Sequence, residues 1–303
     1  MAWVIEAEGL RKAFGDKVAV ADLSLRVAEG EIFGFLGPNG AGKTTAMKML
    51  LGLVRPTAGR GRVLGHPVGS RESRRWAGFL PEHFRFHDWM TGRELLDFHG
   101  RLHGVGAAAR GERIADLLAQ VDLTDAADRP LRTYSKGMQQ RLGLAQALIH
   151  RPRLVFLDEP TSGLDPIGRI LVRDIILRLR GEGITAFFNS HILGDVEAVC
   201  DRVAFLKRGQ IIHETSLREG FAPELHLTLG AVSAELVNGL ASFGKTLRTT
   251  EREVWMRVAA EADVPEVVRW LVGQGAAIYG ARVQRPSLET LFLETMGPDE
   301  RAG

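Results

Sequence analysis

Residues 37–44 read Gly-Pro-Asn-Gly-Ala-Gly-Lys-Thr, and they give the clearest indication of the fold. An apolar run at residues 31–36 predicts a buried strand before it, and a helix is predicted at residues 44–53. A strand, a glycine-rich turn and a helix in that order match the phosphate-binding pattern G-x4-G-K-[ST]. Glycine alone lets backbone N–H groups close around phosphate oxygens. We therefore expect Lys43 to reach the β- and γ-phosphates and the Thr44 hydroxyl to ligate Mg²⁺.

The composition is that of a globular protein with a hydrophobic core. The chain has 303 residues, 45% of them hydrophobic and 25% charged, so one large or two modest domains are expected. A single cysteine, Cys200, excludes an internal disulfide and a cysteine-based metal cluster. No apolar stretch approaches the roughly 18 residues of a membrane helix, and no secretory signal is recognised. The net charge of +2 does not call for a nucleic-acid partner.

The order of predicted elements divides the chain into two domains. Residues 1–215 alternate strands with helices, which predicts a mostly parallel α/β sheet that includes short strands at residues 4–7 and 18–20. Residues 217–303 predict the β-α-β-β-α-β order of a small ferredoxin-like α+β domain, followed by a terminal helix at residues 287–296.

A helical insertion is predicted inside the first domain, at about residues 84–150. Thr91 and Glu94 have the spacing of a capping box at the start of a helix. The residues expected on one apolar face of that helix are Leu95, Phe98 and Leu102.

Residues 154–159 read Leu-Val-Phe-Leu-Asp-Glu, an apolar strand that ends in two carboxylates. An Asp at the carboxyl end of a strand beside a phosphate-binding loop can hold Mg²⁺, usually through water, which assigns this role to Asp158. The adjacent Glu159 is then placed as general base for an attacking water. Taken alone, this run is common and would be interpreted first as a plain strand-to-loop exit, and its pairing with the phosphate-binding loop favours the metal site.

Three further motifs resemble those of the ABC-type ATPases. Residues 134–141, Tyr-Ser-Lys-Gly-Met-Gln-Gln-Arg, are similar to the family's signature. Residues 160–165, Pro-Thr-Ser-Gly-Leu-Asp, are similar to its D-loop, and residues 189–191, Asn-Ser-His, to the segment with its switch histidine. The motifs occur in the family's order over about residues 3–215. The resemblance implies a P-loop ATPase core of the ABC type that hydrolyses ATP.

The resemblance also implies roles for individual residues. Ser135 and Gly137 would face the γ-phosphate of an ATP held by a second chain, with Asp165 at the same dimer seam. His191 would contact the γ-phosphate and position water with Glu159, and two chains would enclose two ATP molecules. The remaining residues implied to hold the nucleotide are Phe14, whose ring would stack on adenine, and Gly37, Pro38, Asn39, Gly40, Ala41, Gly42, Lys43, Thr44 and Thr45.

Two departures from the usual family pattern are informative. Glu82 stands where the family usually has glutamine, so a catalytic and Mg²⁺-binding position carries a negative charge. Lys136 stands in the signature, either adding charge near the γ-phosphate or facing solvent. Both variants resemble the subgroup that powers export-type permeases, as does an added C-terminal domain ending in residues 287–292, Ser-Leu-Glu-Thr-Leu-Phe.

The resemblance implies partners as well as chemistry. Polytopic membrane permease subunits would dock around residues 84–91, a predicted loop with four large apolar side chains, Phe84, Phe86, Trp89 and Met90. The chain would then be cytoplasmic and peripheral on the cytoplasmic face of the membrane, with a second ATPase chain as partner and no nucleic acid expected. The alternative is a soluble ABC-type ATPase that acts on nucleic acid or the ribosome. The transported substrate, the choice between homodimer and heterodimer, and the role of the C-terminal domain stay open.

Overall fold

The computed structural model describes residues 2–83, 86–217, 223–284 and 288–296. The chain divides into two compact units, Met1–Thr215 and Ser216–Gly303. Within the described residues, no helix combines the length and the apolar character that a membrane crossing requires.

The first unit is built on a ten-stranded sheet with the order β5-β4-β1-β2-β10-β9-β3-β8-β7-β6. The strands are β1 (Trp3–Phe14), β2 (Lys17–Ala28), β3 (Ile32–Leu36), β4 (Ala58–Val63), β5 (His66–Pro67), β6 (Ala77–Leu80), β7 (Leu154–Asp158), β8 (Thr185–Asn189), β9 (Arg202–Lys207) and β10 (Gln210–Ser216).

Parallel strands form the half of this sheet that holds the phosphate-binding loop. β9, β3, β8, β7 and β6 pair in parallel in that order. Every residue of β3, β7 and β8 is buried, as expected of parallel strands covered on both faces. Aromatic rings fill the space beside these strands, with the ring centroid of Phe187 5.3 Å from that of Phe35 and 5.6 Å from that of Phe156. Because β3, β8 and β7 are adjacent and parallel, their carboxyl ends lie side by side.

The strands predicted at residues 4–7 and 18–20 are much longer in the structure. β1 and β2 are 12 residues each and pair antiparallel, with several shifts of register along the pair. The sequence prediction was wrong in length because charged residues interrupt the apolar positions, and these charges lie on the exposed side of the strands. The predicted helix at residues 44–53 is shorter, because Gly52 takes a left-handed conformation (φ 70°) just after its end.

Seven α-helices accompany the described part of this sheet. They are α1 (Lys43–Leu50), α2 (Arg71–Arg75), α3 (Gly92–Leu102), α4 (Ala107–Gln120), α5 (Lys136–Leu148), α6 (Pro166–Gly181) and α7 (Leu193–Val199).

Helices α3, α4 and α5 form the helical insertion. The predicted capping box is present, since the Thr91 Oγ1 accepts from the Glu94 N–H at 3.2 Å and the Glu94 carboxylate accepts from the Thr91 N–H at 2.8 Å. Leu95 is buried as expected, but Phe98 and Leu102 are exposed. Helix α3 packs through Leu95 and Leu96 instead, so the apolar face that the sequence predicted is only partly buried.

The second unit has the β-α-β-β-α-β order that the sequence predicts. Its four-stranded antiparallel sheet has the order β12-β13-β11-β14, in which the first and third strands of the unit are central. This is the arrangement of a ferredoxin-like domain. Its elements are β11 (Glu224–Leu229), α8 (Ala234–Leu240), β12 (Gly244–Thr249), β13 (Glu253–Val258), α9 (Val264–Gly273), β14 (Ile278–Gln284) and the terminal α10 (Leu288–Met296). Ser287, expected to begin the terminal segment, lies outside the described residues.

Candidate active site

The phosphate-binding loop leaves the carboxyl end of β3 and leads into α1. Gly42, at the start of α1, has a φ of 104°, which L side chains rarely adopt. A Cβ atom there would lie 2.3 Å from the carbonyl oxygen of Ala19, and a Cβ at Gly37 would lie 2.2 Å from that of Leu206. Neighbouring backbone therefore requires glycine at both positions, independently of any ligand.

Lys43 is held inside this loop. Its Nζ donates to the carbonyl oxygens of Gly37 at 2.6 Å and Pro38 at 3.1 Å. Burial lowers the pKa of Lys43, and the nearby carboxylates of Glu159, Asp158 and Glu82 oppose that shift. The ammonium group therefore lies near all three acidic residues that the sequence predicts at the site.

Asp158 is the last residue of β7 and is almost fully buried. Burial raises the pKa of its carboxyl group, and hydrogen bonds from the Asn189 amide and the Thr44 hydroxyl work against that shift. Thr44 follows Lys43 in the loop, so the two residues expected at the Mg²⁺ site are already in contact. The structure brings them together from positions more than a hundred residues apart.

Glu159 follows immediately, with a left-handed backbone conformation (φ 53°) that is uncommon for a residue other than glycine. Its Oε2 lies 2.7 Å from Nδ1 of His191. The Glu159 side chain is buried and that of His191 is 58% exposed, so the pair joins an enclosed carboxylate to the open side of the site. Burial raises the pKa of Glu159, and His191 opposes the shift by its charge and its hydrogen bond.

The order of strands explains why His191 reaches Glu159. β8 lies between β3 and β7 in the sheet, and His191 comes two residues after the end of β8. The histidine therefore emerges between the phosphate-binding loop and the two carboxylates.

Glu82 lies in the loop after β6. Its side chain is partly exposed, and its carboxylate is near enough to influence the pKa of both Lys43 and Asp158. The residue that replaces the family's glutamine thus lies at the same site as the others and adds a negative charge to it.

The signature residues lie in a different groove. Ser135 caps α5, its Oγ accepting from the Met138 N–H at 3.2 Å, and Asp165 caps α6 by accepting from the Gly168 N–H at 2.8 Å. With Gly137 they line a groove of about 480 Å³. Among the described residues, none from the phosphate-binding loop lines this groove. The structure therefore does not bring the signature and the phosphate-binding loop together into one pocket.

Lys136 is exposed at the edge of this groove. Its side chain passes over Gly163, where a Cβ atom would lie 2.8 Å from Cε and 2.9 Å from Nζ of the lysine. The signature and the D-loop-like segment of the same chain are thus in contact through this lysine.

Phe14 ends β1 with 52% of its surface exposed, and the Nζ of Lys12 lies 4.7 Å from its ring centroid. An exposed aromatic ring at a strand end is not part of the core, and in this structure the Lys12 ammonium lies over the ring.

Three residues at this site escaped the sequence prediction. The Ser190 hydroxyl lies 3.5 Å from Oε2 of Glu159, the Asn189 amide bonds to Asp158, and the buried Gln140 donates from Nε2 to the Glu159 carbonyl oxygen at 3.2 Å. Asn189 and Ser190 directly precede His191, so their position next to a predicted site residue was an available signal. Gln140 lies within the signature-like residues 134–141, but its contact with Glu159 could not be predicted because it depends on how α5 packs.

Comparison with known proteins agrees with this geometry. The ABC transporter family model matches residues 20–162. The daunorubicin resistance ATP-binding protein DrrA3 of Streptomyces coeruleorubidus is 38% identical over 312 residues, which cover 98% of this chain and 97% of that protein. The chain belongs to the family of ABC transporter ATP-binding proteins.

Other members of the ABC family support the same assignment. The Nod factor export ATP-binding protein I of a Rhizobium species is 36% identical, covering 97% of each chain. A solved structure described as the ATP-binding subunit of an ABC transporter superposes with a TM-score of 0.66 at 26% identity, covering 71% of this chain and 90% of that one. The ABC protein described here is therefore an ATPase and the ATP-binding subunit of a transporter, with export-type relatives.

Proposed function

We propose that this ABC subunit pairs with a second ATP-binding chain, encloses two ATP molecules and drives export through separate membrane permease subunits. The observation that carries the proposal is the separation of the two sets of site residues. Lys43 and Glu159 lie at one site, whereas Ser135, Gly137 and Asp165 lie in a groove that the phosphate-binding loop does not line. Because Ser135 stands at the N-terminus of α5, it suits an anion brought by another chain.

Each chain contributes a defined chemistry to such a paired site. Glu159, held by His191, accepts a proton from the attacking water, and His191 contacts the γ-phosphate from the open side. Lys43 leaves its two carbonyl partners for the β- and γ-phosphates. The remaining contacts are a stacking ring, Phe14, and the phosphate-binding backbone of Gly37, Pro38, Asn39, Gly40, Ala41, Gly42, Thr44 and Thr45.

The residues present fit a Mg²⁺ ion. A hydroxyl from Thr44 and carboxylates from Asp158 and Glu82 are hard oxygen donors, which Mg²⁺ prefers. The described residues contain no group of three or more His, Cys, Asp or Glu that could hold a metal by themselves. In proteins, Mg²⁺ usually keeps several waters and is bound by one or two carboxylates together with substrate phosphates. When bound, Mg²⁺ would neutralise charge that develops on the phosphates.

The permease partner is assigned to the outer face of the helical insertion. Trp89 is 74% exposed, and with Met90 and Phe98 it lines a groove of about 680 Å³ between α3 and α4. Arg93 and Asp97 also line the groove, but they are paired within the chain with Asp128 and Arg110, so the groove offers a short helix mainly its apolar side chains. Phe84, which the sequence analysis also predicts at the docking surface, lies outside the described residues. Docking there would hold the chain on the cytoplasmic face of the membrane.

The partner is tested by purifying the tagged full-length chain from native membranes in mild detergent. We expect polytopic membrane proteins to accompany it and to be lost from the Trp89→Asp variant, whose ATPase activity persists. Trp76→Asp, which changes another exposed tryptophan, is the matched control and should retain them. Ribosomes or nucleic acid in place of membrane proteins would support the soluble alternative and contradict export.

The contact between His191 and Glu159 predicts a change in the pH dependence of hydrolysis. Burial already raises the pKa of Glu159, and His191 counteracts this, so the His191→Ala variant should have a still higher Glu159 pKa. A general base acts in its deprotonated form. We therefore expect the acid limb of the kcat–pH profile to move to higher pH and the rate at neutral pH to fall.

The control for this prediction is His226→Ala, since His226 also pairs with a glutamate, 3.2 Å from Glu253, but lies in the second unit. That variant should keep the wild-type profile. An acid limb that stays in place in His191→Ala would show that His191 does not act through Glu159.

A further inference from the structure

Asn189 holds both carboxylate residues of the site. It is the last residue of β8 and pairs in register with Asp158, the last residue of β7. Its Nδ2 donates a short hydrogen bond to Oδ1 of Asp158, and its carbonyl oxygen accepts from the Glu159 N–H at 2.8 Å. One residue of β8 therefore fixes the side chain of the first carboxylate and the backbone of the second.

The position of this contact follows from the register of the two strands. β7 and β8 are parallel, so their residues pair in step, and the pair before this one, Leu157 with Phe188, is apolar and buried. Asp158 and Asn189 form the first polar pair at the carboxyl end. Asn189 is only 1% exposed, so its amide is held where the buried strands meet the site.

The amide of Asn189 is only half used. Among the described residues, its Oδ1 is buried without a hydrogen-bond partner, although buried amide oxygens in proteins are usually paired. Nδ2 and Oδ1 belong to one planar amide, so the free acceptor lies within the span of one bridging water from the Asp158 carboxylate. The unpaired Oδ1 of Asn189 could therefore accept a hydrogen bond from a water that also contacts Asp158.

Thr44 gives Asp158 its other side-chain hydrogen bond. If the Thr44 oxygen turns to Mg²⁺, as the proposed function requires, Asn189 becomes the side chain that keeps the Asp158 carboxylate in place. Hydrogen-bonded partners of this kind orient metal-binding carboxylates in many sites, and their loss typically lowers metal affinity by about 10–100-fold.

We propose that Asn189 is a positioning residue for Mg²⁺: its Nδ2 orients the Asp158 carboxylate, and its free Oδ1 accepts a hydrogen bond from a water of the ion. The proposal rests on the proposed function, because it assumes that Asp158 and Thr44 face Mg²⁺. It predicts that part of the gain in nucleotide affinity due to Mg²⁺ depends on Asn189.

The test is calorimetric titration of the full-length chain with ADP, once with MgCl₂ and once with EDTA. The dissociation constant in EDTA divided by that in MgCl₂ measures how much Mg²⁺ strengthens binding, without any hydrolysis. In Asn189→Leu, which keeps the volume but removes the amide, we expect this ratio to fall by about tenfold with little change in the EDTA value. Asn189→Ala, which adds no bulk, gives the same comparison if circular dichroism shows that the leucine variant is unfolded.

Thr185→Val is the matched control. Thr185 is equally buried at the other end of β8, where its Oγ1 accepts from the Gly30 N–H at 2.9 Å. This variant should lose stability but keep the Mg²⁺-dependent ratio. The proposal is contradicted if Asn189→Leu and Asn189→Ala keep the wild-type ratio, which includes the case in which both weaken binding equally with and without Mg²⁺. Asn189 would then serve only as a hydrogen-bond partner of the buried Asp158 carboxylate. A wild-type chain that binds no ADP would instead contradict the proposed function.

Discussion

Glu159→Gln is expected to bind ATP about as tightly as the wild-type chain and to hydrolyse it roughly 10²–10⁴-fold more slowly. The amide has the shape of the carboxylate and still offers an oxygen to Nδ1 of His191, so the buried contact at 2.7 Å can persist. The amide cannot accept a proton from water, which removes the base. Phosphate release under saturating ATP gives the rate, and calorimetry without turnover gives the affinity.

The control for this variant is Glu197→Gln, which makes the same chemical change at an exposed glutamate of α7. It should hydrolyse ATP at the wild-type rate. If Glu159→Gln also retained near-wild-type turnover, Glu159 would not be the base and the assignment of His191 would fail with it.

Lys43→Met is expected to weaken ATP binding by about 10–100-fold, the loss typical of hydrogen bonds between charged groups. The ammonium now bonds to the carbonyl oxygens of Gly37 and Pro38, so it is already held inside the loop that receives the phosphates. Methionine preserves the length of the buried side chain while removing its charge and its donors. The three neighbouring carboxylates would then repel the phosphates without compensation.

Lys245→Met provides the comparison, because Lys245 is an exposed residue of β12 in the second unit. We expect calorimetry to give it wild-type affinity for ATP. An unchanged affinity in Lys43→Met would contradict the assignment of the phosphate-binding loop.

The central chemistry could be predicted from the sequence because its signals are local. The spacing of residues 37–44 already places Lys43 after a glycine turn, and the apolar run before Asp158 places that residue at the carboxyl end of a strand. Parallel strands bring such ends to one edge, so the approach of Lys43 to Asp158 and Glu159 follows from two separate stretches. The structure agrees at each of these positions.

Other features depend on pairing and packing that a single sequence does not encode locally. The bond from Asn189 to Asp158 needs the register of β7 and β8, and the contact of Gln140 with the Glu159 backbone needs the packing of α5. The exposure of Phe98 depends on which face of α3 meets its neighbours. The separate location of Ser135 was expected only through family resemblance, since no physical signal in the sequence distinguishes it from an ordinary helix cap.

The paired site can be tested by the mass of the Glu159→Gln chain in solution, measured by light scattering after gel filtration with and without Mg²⁺ and ATP. If each ATP needs Lys43 from one chain and Ser135 from another, saturating ATP should double the mass, and Lys43→Met in the same background should keep the mass of one chain. A Glu159→Gln chain that binds ATP yet keeps the mass of a single chain would contradict the paired site.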